Sequence, residues 1–531
     1  MSLFSISFAV FLAALFLVYF AFPKRYRKYQ WVILLAASYV FYISAGAEVS
    51  VVIFLLISTV STWFGGLKLG GINARYKEQL KTCPSEEKKA LKQAATKKKR
   101  WILFLVAILN FGILIVLKYS DFFIQNVNTL LKTGNAQLST VSFLLPLGLS
   151  FYTFQAMGYV IDTYRGKYEP DKNLFQYALF VSYFPQIIQG PISRYNDLAH
   201  QLYEPHKFDY QRFTFGLQRT LWGYFKKMVI ADRIAVLTSE VFTNYTNYEG
   251  FTTLTALLLY GFQIYADFSG GMDIICGISE ALGIELVENF QRPFFSKSVA
   301  EFWQRWHITL GTWMREYVFY PMAMSKPFGK LSKKLREPFG PFIAKVLPTS
   351  LASFAVFLLV GIWHGATWNY VVFGLYQAVF VSSGTLLQPI YTKCKNVLKI
   401  DESRRGWEIF QMLRTFFVTT IGRCFARAIT LTSAVYMLQA SVSRLNPWIF
   451  FDGSLYKLGL DSVNFNLMLI TIVFLMAVDF AQERGIHIRT AISKQNIFVR
   501  WAVFYIGIFA ILILGMYGPG YDASRFIYQR F

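Results

Sequence analysis

Long apolar runs separated by short polar or basic connections make up most of this chain. About 20 consecutive apolar residues are enough to cross a bilayer as a helix. The pattern therefore predicts an all-α, polytopic membrane protein with about 11–13 transmembrane or re-entrant helices, formed by a single membrane-embedded domain over residues 1–531. Candidate spans lie near 3–22, 30–46, 48–66, 101–118, 141–161, 175–192, 213–236, 252–276, 349–366, 368–388, 408–430, 464–481 and 498–516.

Several of these runs are interrupted by proline or glycine, as in "LPLGLSFYTFQAMGY" and "SYFPQIIQGPISRY". Backbone groups freed by such breaks persist at membrane depth only where protein or a water-filled cavity covers them. The interrupted segments are therefore candidate walls of an internal site.

The composition agrees with a membrane protein, since 55% of the 531 residues are hydrophobic and only 16% are charged. The net charge of +23 resides mainly in short basic runs between apolar segments, such as "KRYRK" at 24–28 and the stretch 68–100. Basic loops of this kind favour the cytoplasmic side, which argues against nucleic acid as a partner and predicts an extracytoplasmic N-terminus. The 68–100 stretch is predicted to form a cytoplasmic helix or hairpin.

Common catalytic motifs are absent from the sequence. The four cysteines show no metal-binding spacing, and there is no G-x-S-x-G, no H-E-x-x-H and no P-loop. What remains is acyl or group transfer between two bound substrates without a covalent enzyme intermediate.

The segment "EFWQRWHITLGTWMREY" at 301–317 is unusually rich in aromatic and charged residues. Helical spacing predicts a continuous helix here, with Trp303, Trp306 and His307 on one face and the pair Glu301 and Arg305 on another. Such a helix suits the interior of the bundle or the membrane interface, with His307 pointing inward.

A second histidine, His364, lies within the apolar run "FLLVGIWHGATWNYVVFG". An ionisable residue in a spanning segment indicates a functional site, and a neutral imidazole is a suitable general base. Gly361 and Gly365 flank it, which allows another backbone or a substrate to approach closely.

These segments carry a resemblance to a known family. The stretch 260–322, from "YGFQIYADFSGG" to "MREYVFYPM", together with "VGIWHGATWNYVVFG", closely resembles the membrane-bound O-acyltransferases. The earlier stretch from "LPLGLSFY" to "ISRYNDL" looks like the alginate O-acetyltransferase (AlgI-like) branch. The resemblance covers essentially the whole chain.

The resemblance implies a ring of helices around a central funnel, with a core over 101–390 and further helices over 391–531. It implies that His364 and His307 are the catalytic residues. The remaining predicted site residues would line a substrate tunnel or brace it: Trp303, Trp306, Trp363, Asp267, Ser269, Asn289, Arg292 and Arg305.

The same resemblance implies no bound cofactor or metal, and a substrate that is an acyl thioester, either acetyl-CoA or a charged acyl carrier protein. The acyl group would pass across a bacterial plasma membrane to an exported or cell-wall polysaccharide, directly or through an extracytoplasmic acetyltransferase partner. Two alternatives stay open: a D-alanyl transferase for teichoic acid, and a transporter or flippase whose broken helices form a permeation path.

Overall fold

The computed structural model describes residues 1–45, 49–131, 138–141 and 143–517. Within these ranges the regular structure is helical, apart from an isolated antiparallel bridge between Phe290 and Trp306. The predicted all-α class is confirmed. The described chain forms two compact units, one made of Met1–Gly216 with Ile275–Val287, the other of Leu217–Ile274 with the chain from Glu288 onward.

The first unit is built mainly from eight helices. They are α1 (Ile6–Ala21), α2 (Gln30–Ser44), α3 (Val49–Thr82), α4 (Lys88–Leu130), α5 (Leu149–Arg165), α6 (Leu174–Ser182), α7 (Phe184–Ile187) and α8 (Tyr195–Tyr203). Helices α9 (Tyr210–Tyr224) and α11 (Gly250–Ala281) contribute residues to both units.

Helices α3 and α4 form a long hairpin whose polar tip contains most of the basic 68–100 stretch. They approach closely where Gly65 faces Val106, and the Ser58 hydroxyl donates a hydrogen bond of 2.6 Å to the Asn110 side chain. The helix or hairpin predicted for 68–100 is confirmed, whereas its cytoplasmic location stays a prediction.

The second unit contains the remaining helices. They are α10 (Asp232–Thr243), α12 (Val299–Arg305), α13 (Ile308–Met314), α14 (Tyr320–Ala323), α15 (Lys326–His364), α16 (Trp368–Leu386), α17 (Gln388–Val397), α18 (Arg405–Arg427), α19 (Leu431–Ala440), α20 (Ser462–Glu483), α21 (Ile488–Ser493) and α22 (Ile497–Leu514). Two π-helical segments, Phe225–Ala231 and Arg315–Phe319, interrupt the α-helical stretches.

Five of the described helices are individually long and apolar enough to span a membrane, and two bent helix pairs raise that number to seven. Two other predicted spans are divided in the structure: 175–192 contains both α6 and α7, and 213–236 contains a π-helical segment. The outer helix α22 buries only 6% of its apolar window inside the protein, so lipid is the natural contact for the rest. The chain is a multi-pass membrane protein. The predicted ring around a funnel stays a prediction.

Candidate active site

The segment 301–317 is not one helix, so the predicted continuous helix and its single aromatic face are wrong. Helix α12 ends at Arg305, Trp306 is extended, and His307 has a left-handed backbone with φ of 48° before α13 begins at Ile308. Few residues other than glycine adopt this conformation.

The break is caused by hydrogen bonds to a segment about fifteen residues upstream. The amide of Gln291 donates to the Arg305 carbonyl at 2.9 Å, and the amide of Ile308 donates to the Asn289 carbonyl at 3.0 Å. These bonds flank the Phe290–Trp306 bridge and satisfy backbone groups that a continuous helix would have paired internally.

The side chain of Asn289 then fixes the orientation of His307. Its Oδ1 atom accepts hydrogen bonds from the Thr309 amide at 3.0 Å and the Thr309 hydroxyl at 2.9 Å, and it lies 3.2 Å from His307 Nδ1. A backbone amide can only donate, so the Asn289 atom facing it is the oxygen. His307 Nδ1 therefore donates its proton, and Nε2 carries the lone pair of the neutral ring.

His307 is 1% exposed and lies in a turn outside the candidate membrane spans. Burial, with a smaller contribution from the neighbouring His364, lowers the pKa of His307 well below its usual value. The ring of Phe268 packs edge-on against the imidazole, with a centroid separation of 4.9 Å.

His364 is the last residue of α15, and the turn after it leads directly into α16. The two helices pack together along their length and touch where Gly361 faces Gly374. Gly365 in turn lies against the Tyr370 ring. The predicted approach of another backbone is therefore confirmed at Gly361, whereas at Gly365 the approaching group is an aromatic side chain. His364 is 5% exposed.

Aromatic rings surround both histidines. The ring of Trp363 lies 5.0 Å from that of His364 and 6.0 Å from that of His307, so it contacts both. Tyr370 and Phe373 pack on His364 at centroid distances of 6.3 and 5.9 Å. The structure therefore brings the two predicted catalytic histidines together around one indole.

A cavity of about 40 Å³ opens beside His364, with room for a water molecule or a small acyl group. Its lining is mostly aromatic and includes the predicted Trp303 and Trp306, with Gln377 and Arg423 as polar members. The Trp303 indole donates a hydrogen bond of 3.1 Å to Gln377. His307 and Trp363 do not line the cavity itself; Trp363 packs behind His364, and His307 packs against Trp363.

The predicted supporting arginines share one carboxylate. Arg292 Nε lies 2.6 Å from Glu483, and Arg305 Nη1 lies 2.9 Å from the same side chain. Arg305 also pairs with Glu301 at 2.8 Å, one helical turn away. These ion pairs connect the chain on both sides of the His307 break to α20.

The other predicted supports, Asp267 and Ser269, contact two buried lysines on the π-helical segment Phe225–Ala231. Lys227 Nζ lies 2.7 Å from both Asp267 and Asp232. Lys226 Nζ donates to Ser269 at 2.8 Å and pairs with Asp273 at 2.6 Å. Buried charges are tolerated when paired in this way, so both predicted residues hold the interior together.

Sequence reasoning missed Glu483, Gln377 and Arg423. A signal existed for Arg423, because an arginine inside the apolar "FFVTTIGRCFA" run is as unusual as His364 in its own run. In the described part of the chain, no group of three or more His, Cys, Asp or Glu side chains forms a metal site.

Comparison with known proteins adds a family match. The model of the membrane-bound O-acyltransferase family, MBOAT, matches residues 169–336. A probable alginate O-acetylase AlgI of Pseudomonas syringae pv. tomato is 30% identical over 470 residues, which is 88% of this chain and 80% of that protein.

Two other relatives match a smaller share of this chain and are named for different acceptors. A peptidoglycan O-acetyltransferase of Helicobacter pylori is 29% identical over 402 residues, 71% of each chain. A teichoic acid D-alanyltransferase of Bacillus subtilis is 29% identical over 278 residues, which is 52% of this chain and 67% of that protein.

Proposed function

Because this chain belongs to the membrane-bound O-acyltransferase family, we propose that it moves an acetyl group from a cytoplasmic thioester to an exported or cell-wall polysaccharide. The protein is a multi-pass membrane O-acyltransferase. Acetyl-CoA is the proposed donor, and the acetyl group leaves on the extracytoplasmic side, directly or through a separate acetyltransferase.

One observation supports this proposal above the others: His364 terminates a membrane-spanning helix and opens into a small cavity. In the proposed reaction, the His364 imidazole takes the proton of an acceptor hydroxyl while that oxygen bonds to the thioester carbonyl carbon. The carbon–sulfur bond then breaks, and the protonated histidine gives its proton to the leaving thiolate, which restores the neutral imidazole. The products are an ester and a free thiol.

The aromatic lining suits a thioester reaction. Trp303 and Trp306 present apolar surface to the cavity, and Phe302 stacks on Trp306 at a centroid distance of 5.4 Å. Excluding water protects a reactive acyl donor from hydrolysis. His307 is held by Asn289, and the Trp363 ring lies between it and His364. His307 is proposed to assist His364 from the far side of that ring.

The choice of acceptor rests on the relatives. Alginate O-acetylases match most of this chain, and a peptidoglycan O-acetyltransferase matches 71% of it, so an acetylated polysaccharide is the proposed product. D-alanyl transfer to teichoic acid is the second candidate, because those relatives match about half of the chain. We also propose that the N-terminus is extracytoplasmic, in a bacterial plasma membrane, from its basic loops.

The test is His364→Ala, with the exposed His487→Ala as the matched control. Membranes containing each variant receive radiolabelled acetyl-CoA and the polysaccharide of the host. Loss of a general base lowers turnover by about 10²–10⁴-fold, so His364→Ala should transfer almost no label while the control matches the parent. Full transfer by a correctly inserted His364→Ala protein would refute the proposal.

A further inference from the structure

Arg423 is a buried arginine beside the proposed catalytic histidine. It lies in the last turns of α18, is 5% exposed, and lines the same cavity as His364. Its guanidinium is packed against three phenylalanine rings, those of Phe294, Phe302 and Phe416, at 5.5–5.8 Å from their centroids. This aromatic cage partly compensates the charge without neutralising it.

Part of the guanidinium is held in place by hydrogen bonds. Its Nη2 atom donates to the hydroxyls of Thr419 and Thr420 at 3.1 and 2.9 Å. Gly261 leaves room for this nitrogen, since a Cβ atom there would lie 3.2 Å from it. The guanidinium is thus fixed at one end, as a preorganised binding group requires.

The other end of the guanidinium has no hydrogen-bond acceptor among the described residues. Nε and Nη1 are buried, and neither donates a hydrogen bond to any acceptor in the described part of the chain. No Asp or Glu of the described chain forms an ion pair with Arg423 either. A guanidinium carries five N–H donors, so three of them remain available inside a site that opens next to His364.

A buried, fixed and incompletely satisfied cation is a costly arrangement, which protein interiors normally avoid by pairing. It becomes useful where negative charge develops during a reaction. The cavity of about 40 Å³ accommodates a small acyl group but is lined mainly by rings, which suits a carbonyl oxygen better than a phosphate.

We propose that Arg423 binds the carbonyl oxygen of the acyl thioester and stabilises the negative charge which that oxygen gains when the acceptor hydroxyl adds. This inference rests on the proposed function. As the hydroxyl oxygen bonds to the carbonyl carbon, the π electrons move to the carbonyl oxygen, which accepts hydrogen bonds from the guanidinium. The electron pair re-forms the carbonyl π bond when the carbon–sulfur bond breaks, and Arg423 keeps all its protons throughout.

The test compares Arg423→Met with Arg427→Met on the same helix. Arg427 stacks on Phe242 at 5.2 Å and does not line the cavity, so it is a matched arginine outside the site. Both proteins are purified in detergent, their unfolding midpoints are measured, and their kcat and KM for acetyl transfer from acetyl-CoA are determined.

A transition-state role makes a distinctive prediction. Removing one oxyanion donor lowers kcat by about 10²–10³-fold, and KM for acetyl-CoA should change by less than about threefold. The unfolding midpoint should stay equal or rise, because methionine replaces a buried charge that is only partly compensated. Arg423→Lys, which keeps the charge but not the forked geometry, should recover part of the lost kcat.

Three results would overturn the inference. They are a kcat for Arg423→Met within threefold of that of Arg427→Met, a loss confined to KM, or a lowered unfolding midpoint that accounts for the lost activity. His364→Ala is measured in parallel. If His364→Ala is inactive while Arg423→Met is active, only the role of Arg423 fails, whereas full activity of His364→Ala refutes the proposed function itself.

Discussion

The close contact between α15 and α16 gives a sharp prediction for Gly361→Ala. A Cβ atom at residue 361 would lie 2.8 Å from the Gly374 Cα atom, 3.0 Å from its amide nitrogen, and closer still to the Tyr370 carbonyl oxygen. Ordinary carbon–carbon contacts are about 3.5 Å or longer, so the helices must separate by roughly 0.7 Å. These three neighbours are backbone atoms, which cannot rotate away as a side chain could.

This separation acts directly on the site. Helix α15 ends at His364, and α16 supplies Tyr370 and Phe373, whose rings pack on that histidine. Overpacking of this kind costs about 1–3 kcal/mol of stability. A displacement of about 1 Å in a reacting group lowers turnover by up to about 10²-fold, so we expect a 10- to 100-fold loss for Gly361→Ala.

The assay measures acetyl transfer per folded protein, together with the unfolding midpoint in detergent. Gly384→Ala is the control, because it lies on α16 and a Cβ atom there meets nothing within 4 Å. The control should be neutral or slightly stabilising, since alanine favours a helix by about 1 kcal/mol over glycine. A Gly361→Ala protein with the parent's midpoint and turnover would refute the steric reasoning.

Two further substitutions test the buried polar groups. Asn289→Leu should lower the free energy of unfolding by about 2–4 kcal/mol, because it removes the acceptor of buried donors on Thr309 and His307. Chemical denaturation measures this loss, and Asn289→Asp, which keeps an acceptor oxygen, should lose less stability. Lys227→Met should lower the free energy of unfolding by about 3–5 kcal/mol, because the buried carboxylates of Asp232 and Asp267 lose the cation that they share. Equal unfolding midpoints for Lys227→Met and the exposed Lys494→Met would contradict this prediction.

The sequence predicted the fold class because that class depends on local patterns. Apolar runs identified a helical membrane protein, since crossing a bilayer imposes length and composition on each span. His364 was identified as a site residue because an ionisable group within an apolar run needs a reason to be there. The flanking Gly361 indicated close approach, and the structure shows that the approaching group is the backbone of α16.

What the sequence by itself determined was therefore the class of the fold and the family, and it singled out His364 and His307 as the histidines to which a catalytic role is assigned. Only the tertiary structure decided that 301–317 breaks at His307, because the hydrogen bonds responsible come from a separate segment around Asn289. It alone paired Arg292 and Arg305 with Glu483, which lies 191 and 178 residues away along the chain. It alone placed Arg423 beside His364. Helical periodicity is a property of neighbouring residues, whereas these contacts join distant segments that meet only when the chain is folded.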